Sequence, residues 1–110
     1  MEHNMKLNNS PFNMIKNGKK DIEMRLYDEK RQQIKPGDTI EFTNIISGDT
    51  IKYVVKQLHI YDSFENLYQM FDKERLGYQE NEEAKYSDME QYYNKEDIKN
   101  YGVVGIELIK

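Results

Sequence analysis

The sequence predicts an α+β fold: a small mixed β-barrel of about five strands with short peripheral helices. Three observations lead there. Apolar and polar residues alternate in several short runs, the pattern of half-buried strands. Two glycine-bearing turns, Lys35-Pro36-Gly37-Asp38 and Ser47-Gly48-Asp49, punctuate the first half of the chain. Helix-start signals at Ser10-Pro11, Ser63 and Ser87 fall between the strand runs. Closing such a sheet on itself would remove the free edges that invite aggregation.

The first elements lie ahead of the Pro36-Gly37 turn. His3 to Leu7 alternates weakly and reads as a first strand. Ser10 then reads as an N-cap with Pro11 at the first helical position, and Phe12, Ile15 and Met14 supply the buried stripe of a short helix. Asn17-Gly18 ends it, with glycine free to turn left-handed. The second strand runs from about Asp21 to Leu26. Period-two alternation sets Ile22, Met24 and Leu26 on one face and Asp21, Glu23 and Arg25 on the other. Lys20 shares the parity of the apolar face. An unpaired buried ammonium is costly, so Lys20 is read as preceding the regular strand, just after the break at Gly18.

Beyond the Pro36-Gly37 turn, Ile40 and Phe42 alternate against Thr39, Glu41 and Thr43. The Ser47-Gly48-Asp49 turn makes a hairpin with a long strand from about Thr50 to Tyr61. Ser63 caps a helix carrying Phe64, Leu67, Tyr68 and Phe71 at helical spacing. Leu76 to Lys85 is polar, contains Gly77 and reads as a loop. Ser87 with Glu90 has the spacing of a capping box and opens a short helix bearing Met89, Tyr92 and Tyr93. Asn94 caps a further turn before Tyr101-Gly102, and Val103 to Ile109 closes the chain as a last strand.

Composition bounds the function. The 110 residues make one domain, 1–110. Mean hydropathy is −0.96, yet 12% aromatics and a net charge of only −4 argue against disorder. The absence of cysteine excludes disulfides and thiolate metal sites and suits a reducing compartment. No apolar run approaches about 18 residues and no signal-peptide core opens the chain, so the expectation is a cytoplasmic protein with no membrane partner. His3 and His59 lack partners at ligand spacing. Glu80, Glu82 and Glu83 lack the alternation and glycine of a calcium loop. No phosphate-binding loop, dinucleotide fingerprint or nucleophile elbow is present, and neither metal nor cofactor is expected.

Charge is unevenly distributed. Met14 to Lys35 holds seven cations against four carboxylates; Tyr61 to Asp97 holds eleven carboxylates against four cations. An acidic whole does not favour non-specific nucleic-acid binding, but a local basic patch can hold a nucleotide or a short strand. Within that patch, Arg25 offers a planar fork for phosphate or carboxylate. Glu23 can accept from an exocyclic amine or act as a general base. Lys20 can neutralise a phosphate or stabilise developing charge. Tyr27 could stack a base, Lys19, Lys30 and Arg31 could hold phosphates, and Tyr92 could line a cleft. The plainer alternative is a Glu–Arg pair that fixes the mouth of the barrel, with the remaining charges as solvated surface.

Pro11-Phe12, Ile15, Gly18, Lys20, Glu23, Arg25 and Pro36-Gly37-Asp38 in this order resemble the ASCH domain family of the PUA-like superfamily. Gly18, Lys20, Glu23 and Arg25 match its spacing of glycine, lysine, glutamate and arginine, and Tyr101-Gly102-Val103-Val104 is similar to the start of its last strand. The resemblance implies a barrel with a cleft beside the lysine–glutamate–arginine strand, and RNA, a nucleotide or a modified nucleoside as ligand. It also implies two activities found in the family, deacetylation of N4-acetylcytidine and ribonucleolysis. In the amidohydrolase branch a threonine stands where this chain has Glu23, which would serve as base or acceptor rather than oxygen nucleophile. The expected function is therefore binding of RNA or a nucleotide-like ligand by Lys20, Glu23 and Arg25. The alternative is a metal-independent hydrolase of a modified nucleoside or RNA in which Lys20 and Glu23 are catalytic. A third reading assigns the acidic stretch to a basic protein partner.

Overall fold

The computed structural model describes residues 1–109. Its strands are β1 (Glu2–Leu7), β2 (Ile22–Leu26), β3 (Thr39–Asn44), β4 (Thr50–Tyr61) and β5 (Val103–Ile109). They form one mixed sheet in the order β1-β3-β4-β5-β2, with β1 parallel to β3 and every other pair antiparallel. The long β4 makes the curl possible. Its first residues pair with β3 and its remainder with β5, and a bulge lies between Val55 and Gln57 in the β5 register. β1 and β2 each keep one partner, so the sheet is a half-barrel with an open seam. Full closure, expected from the sequence, does not occur.

The two faces of β5 divide the interior. Val104, Ile106 and Leu108 join Met5, Leu7, Phe12, Ile15, Ile40, Phe42 and Val55 in one cluster, which α1 (Asn9–Lys16) covers. Val103 joins Ile22, Met24, Leu26, Phe64, Leu67, Leu76 and Ile98 in the other. That second cluster lies beneath α2 (Phe64–Met70), the single turn α3 (Lys73–Leu76) and α5 (Lys95–Tyr101). Gly105 allows the close approach, because a Cβ there would lie 3.1 Å from Ile22 Cγ2 and 3.4 Å from Leu67 Cδ1. Strand register decides which side chains of β2 meet which layer. Glu23 pairs with Ile106 and Arg25 with Val104, so both face the first cluster's side of the sheet, while Ile22, Met24 and Leu26 face the helices. Both faces of β2 are thus covered, one by helices and one by the barrel.

Several local expectations hold. Lys20 precedes β2, Gly18 is left-handed with φ +78°, and the Ser63 and Asn94 side chains accept from Asn66 N–H and Asp97 N–H. Others shift. The N-cap of α1 is Asn8, not Ser10, since Asn8 is the extended residue whose carbonyl accepts from Phe12 N–H. Pro11 remains in the first turn, where its missing N–H costs no helical bond. Ser87 lies inside α4 (Ser87–Glu90) because Tyr86 is already helical, so no capping box forms. The turn at Pro36-Gly37 has the expected positive φ at Gly37 and a bond from Asp38 N–H to Lys35 C=O. It leads out of a 3₁₀ turn (Arg31–Gln33) and joins no hairpin, because β2 pairs with β5 instead of β3. Among the described residues no helix is long and apolar enough to cross a membrane.

Asp38 fastens this turn to β1. Its carboxylate accepts from His3 Nε2 at 2.9 Å and from Lys35 N–H at 3.0 Å. The His3 bond, with the Lys35 amide, holds its pKa down from 3.8 to about 2. A depressed carboxyl stabilises the fold above its unfolded pKa, and that contribution disappears as pH falls through the folded value. Asp38→Ala should therefore lower the melting temperature near neutral pH. The wild-type and variant stability curves should converge as pH falls from 3.8 to about 2, as followed by circular dichroism.

Candidate ligand-binding site

The seam between β1 and β2 is where the polar face of β2 meets the barrel end. Glu23 is only 5% exposed there and Lys20 only 4%. The carboxylate is divided between two cations. Oε2 accepts from Arg25 Nε at 2.8 Å, and Oε1 lies 3.5 Å from Lys20 Nζ. Lys20 Nζ also donates to the Leu76 carbonyl at 2.7 Å, and Arg25 Nη2 donates across the seam to the Lys6 carbonyl at 3.0 Å. Arg25 thus satisfies an acceptor on the unpaired edge of β1 and bridges the gap that an extra strand would otherwise fill.

Burial and charge act against each other here. Burial disfavours ionised Glu23, but Arg25 and Lys20 outweigh it and hold the carboxyl below its usual range. For Lys20, burial wins over the attraction of Glu23 and lowers the ammonium pKa. Arg25 stays cationic, since Glu23 and the neighbouring Tyr93 overcome its desolvation. Two cations share one carboxylate, so the floor carries a surplus of positive charge.

Above this floor lies a cleft of about 680 Å³. Lys6, Asn8, Lys20, Glu23 and Arg25 line its sheet side, and Tyr68, Tyr78, Asp88, Met89, Tyr92 and Tyr93 line the wall that α2, α4 and their loops supply. The wall is ordered by its own hydrogen bonds. Tyr68 and Tyr78 hydroxyls lie 2.8 Å apart, and Tyr78 Oη donates to Asp88 Oδ2 at 2.8 Å, with the Lys85 carbonyl as a further acceptor at 3.1 Å. A phenol has one proton, so Tyr68 is the donor to Tyr78. Burial, with Asp88 beside it, raises the Tyr78 pKa to about 12, and Tyr68 is raised as well. Both phenols stay protonated at neutral pH.

The sequence-predicted residues divide. Lys20, Glu23 and Arg25 converge on the cleft, and Tyr92, 61% exposed, sits at its rim. Tyr93, its neighbour, lines the cleft and stacks on Phe64 with centroids 5.9 Å apart. Lys19 is exposed on a separate groove with Met14 and Glu74. Tyr27, Lys30 and Arg31 lie outside the cleft, because the chain leaves the sheet after Leu26. Tyr27 packs against the barrel core, Arg31 pairs with Asp28 at 2.9 Å, and Lys30 is exposed. His3 and His59 bond to Asp38 and Glu107. Sequence reasoning missed Tyr68, Tyr78, Asp88 and the α3 turn. Asp72 before α3 and Gly77 after it, at φ +106°, were the available signals for the last of these.

Fold and site together define a small half-barrel domain with one polar, aromatic-walled cleft at its seam. The chain belongs to the ASCH domain family, whose model matches residues 5–110. Two solved structures share the fold. One is the crystal structure of hypothetical protein PH0355, 38% identical, with a TM-score of 0.82 over 98% of this chain and 97% of that one. The other is the solution NMR structure of protein PF0455 from Pyrococcus furiosus, also 38% identical, with a TM-score of 0.76 over 98% and 96%. No curated protein matches.

Breaking a buried ion pair by removing one partner typically costs about 3–5 kcal/mol, because the other charge is left uncompensated. Glu23→Ala strands two cations and should destabilise the protein by about that amount in urea denaturation. A loss below about 1 kcal/mol, the range of an exposed pair, would show that solvent screens this trio.

Proposed function

We propose that the cleft binds a nucleotide-like ligand, as a free nucleoside or nucleotide or as a single unstacked nucleotide of RNA. The observation that carries this reading is the buried Lys20–Glu23–Arg25 floor facing a tyrosine-rich wall across about 680 Å³. That volume lies within the range of small-molecule sites. Glu23 has spare acceptor capacity beyond its two cations and suits an exocyclic amine of a base. Arg25 and Lys20 suit a phosphate or a polarised carbonyl. Tyr92 offers an exposed ring for stacking. Asp88 and Glu82 on the opposite side disfavour a long polyanionic backbone inside the cleft. RNA would therefore present one splayed base, the usual mode of single-strand recognition.

A second reading, metal-independent hydrolysis of a modified base or of RNA, is favoured by one specific observation. Lys20 is buried, its pKa is lowered, and it sits beside an ionised carboxylate. Such an ammonium gives up a proton to a leaving amine more readily than a solvated lysine does. Glu23 would accept a hydrogen bond from an attacking water or serve as the base itself.

Chemical-shift mapping with nucleosides, nucleotides and short single-stranded RNAs tests the binding reading. The expected outcome is perturbation of residues 20–25 together with 76–93, and at least about tenfold weaker binding in Lys20→Met, the loss of one charge-assisted hydrogen bond. Perturbation confined to other surfaces would refute it. For hydrolysis, N4-acetylcytidine and single-stranded RNA are incubated with wild type and Lys20→Ala and the products separated chromatographically. Turnover that survives the substitution removes this site from the chemistry.

A further inference from the structure

Around Asp21, just ahead of β2, lies a second polar cluster, which neither proposed activity uses. Arg75, in the single turn α3, grips Asp21 through both carboxylate oxygens, Nε to Oδ1 at 2.9 Å and Nη2 to Oδ2 at 3.1 Å. The same Nη2 donates to Glu107 Oε2 at 2.9 Å. Glu107 also accepts from His59 Nε2 at 2.9 Å and lies 3.7 Å from Lys56 Nζ. The guanidinium sits 5.4 Å from the Phe71 ring centre. The main chain joins in: Asp21 N–H donates to the Arg75 carbonyl at 3.1 Å, and Leu108 N–H donates to the Asp21 carbonyl at 2.9 Å.

This cluster touches the cleft floor at one remove. Asp21 adjoins Lys20, and Leu76, which follows Arg75, supplies the carbonyl that takes the Lys20 ammonium at 2.7 Å. Gly77 lies against the lysine stem, where a Cβ would come within 3.0 Å of Lys20 Cδ. One helical turn of four residues does not hold itself together, since nucleation costs more than its few internal bonds return. Leu76 anchors α3 to the core from within, and Arg75 ties it from outside to the residue next to Lys20.

We propose that Arg75 is a positioning residue for the cleft: by clamping α3 to Asp21 and Glu107 it holds the Leu76 carbonyl and Gly77 against Lys20 and so sets where the ammonium points. Lys20 has three donors and only two protein acceptors, the Leu76 carbonyl and Glu23, so the direction fixed by α3 decides where the third is aimed. Without the clamp, α3 moves off the lysine, water reaches the ammonium, and its aim into the cleft is lost.

The inference rests on the ligand reading only for its binding consequence, and the test separates the two. Lys20 is followed in ligand-free protein by carbon- and nitrogen-detected NMR, in wild type, Arg75→Met and Arg75→Lys. Arg75→Met keeps the stem and removes the fork. It should move the Lys20 titration upward toward that of a solvated lysine and shift its Cε resonance, whether or not any ligand binds. Arg75→Lys, with charge but one point of attachment, should move both in the same direction by less. Lys52→Ala, far from α3, serves as a control and should leave Lys20 unmoved. In the binding arm, the nucleoside or nucleotide that perturbs wild type should bind Arg75→Met about tenfold more weakly. A Lys20 titration identical to wild type in Arg75→Met overturns the proposal. If that variant does not fold, an unchanged titration in Arg75→Lys does so. If wild type binds none of these ligands, the function reading fails while the Lys20 titration still decides the role of Arg75.

Discussion

The structure depends on one buried carboxylate. Glu23 lies where a half-barrel has no further strand to close it, and an unpaired acid there would have to be neutralised. Instead it collects Arg25 on one oxygen and Lys20 near the other, and these two cations reach the protein's unpaired acceptors. Arg25 takes the Lys6 carbonyl on the free edge of β1, and Lys20 takes the Leu76 carbonyl at the end of α3. The same three side chains therefore bridge the seam, hold a helical turn and form the floor of the cleft. A polar network at this place costs less than it would in a closed core, because Arg25 finds an acceptor on the open sheet edge and Lys20 one at the end of α3.

Charge that looks segregated along the chain is brought together in space. The basic segment reaches the cleft through Lys20 and Arg25, and the acidic segment faces it through Glu82 and Asp88. Their meeting makes the cleft bipolar: cations at the floor, carboxylates and phenols on the wall. A ligand that offers donors on one edge and a carbonyl or phosphate on another is matched to such a cleft better than a uniform polyanion. Part of the acidic stretch thus lines the cleft wall, and Lys73 orders the loop beside it, Nζ donating to the main-chain carbonyls of Glu80 and Glu82 at 2.7 and 2.6 Å.

The strands were legible because period-two alternation survives in Ile40-Phe42 and Val104-Ile106-Leu108, and Ser63 and Asn94 cap as their residue types predict. Sheet order was not legible. Which strand pairs with which depends on contacts far apart in sequence, so β2 bonding to β5 and the resulting seam carry no local signature. The floor of the site was legible from alternate residues on one strand together with the family pattern. The wall was not, because Tyr68, Tyr78 and Asp88 come from separate short elements that read as ordinary stripe and loop. Adjacency misled in the opposite direction. Tyr27, Lys30 and Arg31 come soon after Arg25 in the chain, but Tyr27 N–H is tied to the Gly102 carbonyl and the chain turns away from the seam.

The identity of the residue at position 23 has a consequence for the chemistry the floor can support. With a threonine there, Lys20 and Arg25 would face one another with no carboxylate between them. Their repulsion would add to burial in pushing the lysine toward its neutral form. With Glu23, the attraction of the carboxylate opposes burial, and burial still prevails. The present floor therefore holds a lysine whose pKa burial lowers, with a fixed anion 3.5 Å from it. That pairing offers the cleft an acceptor beside a donor, and chemistry on the proposed reading would pass protons between lysine, carboxylate and water instead of forming an ester on a hydroxyl.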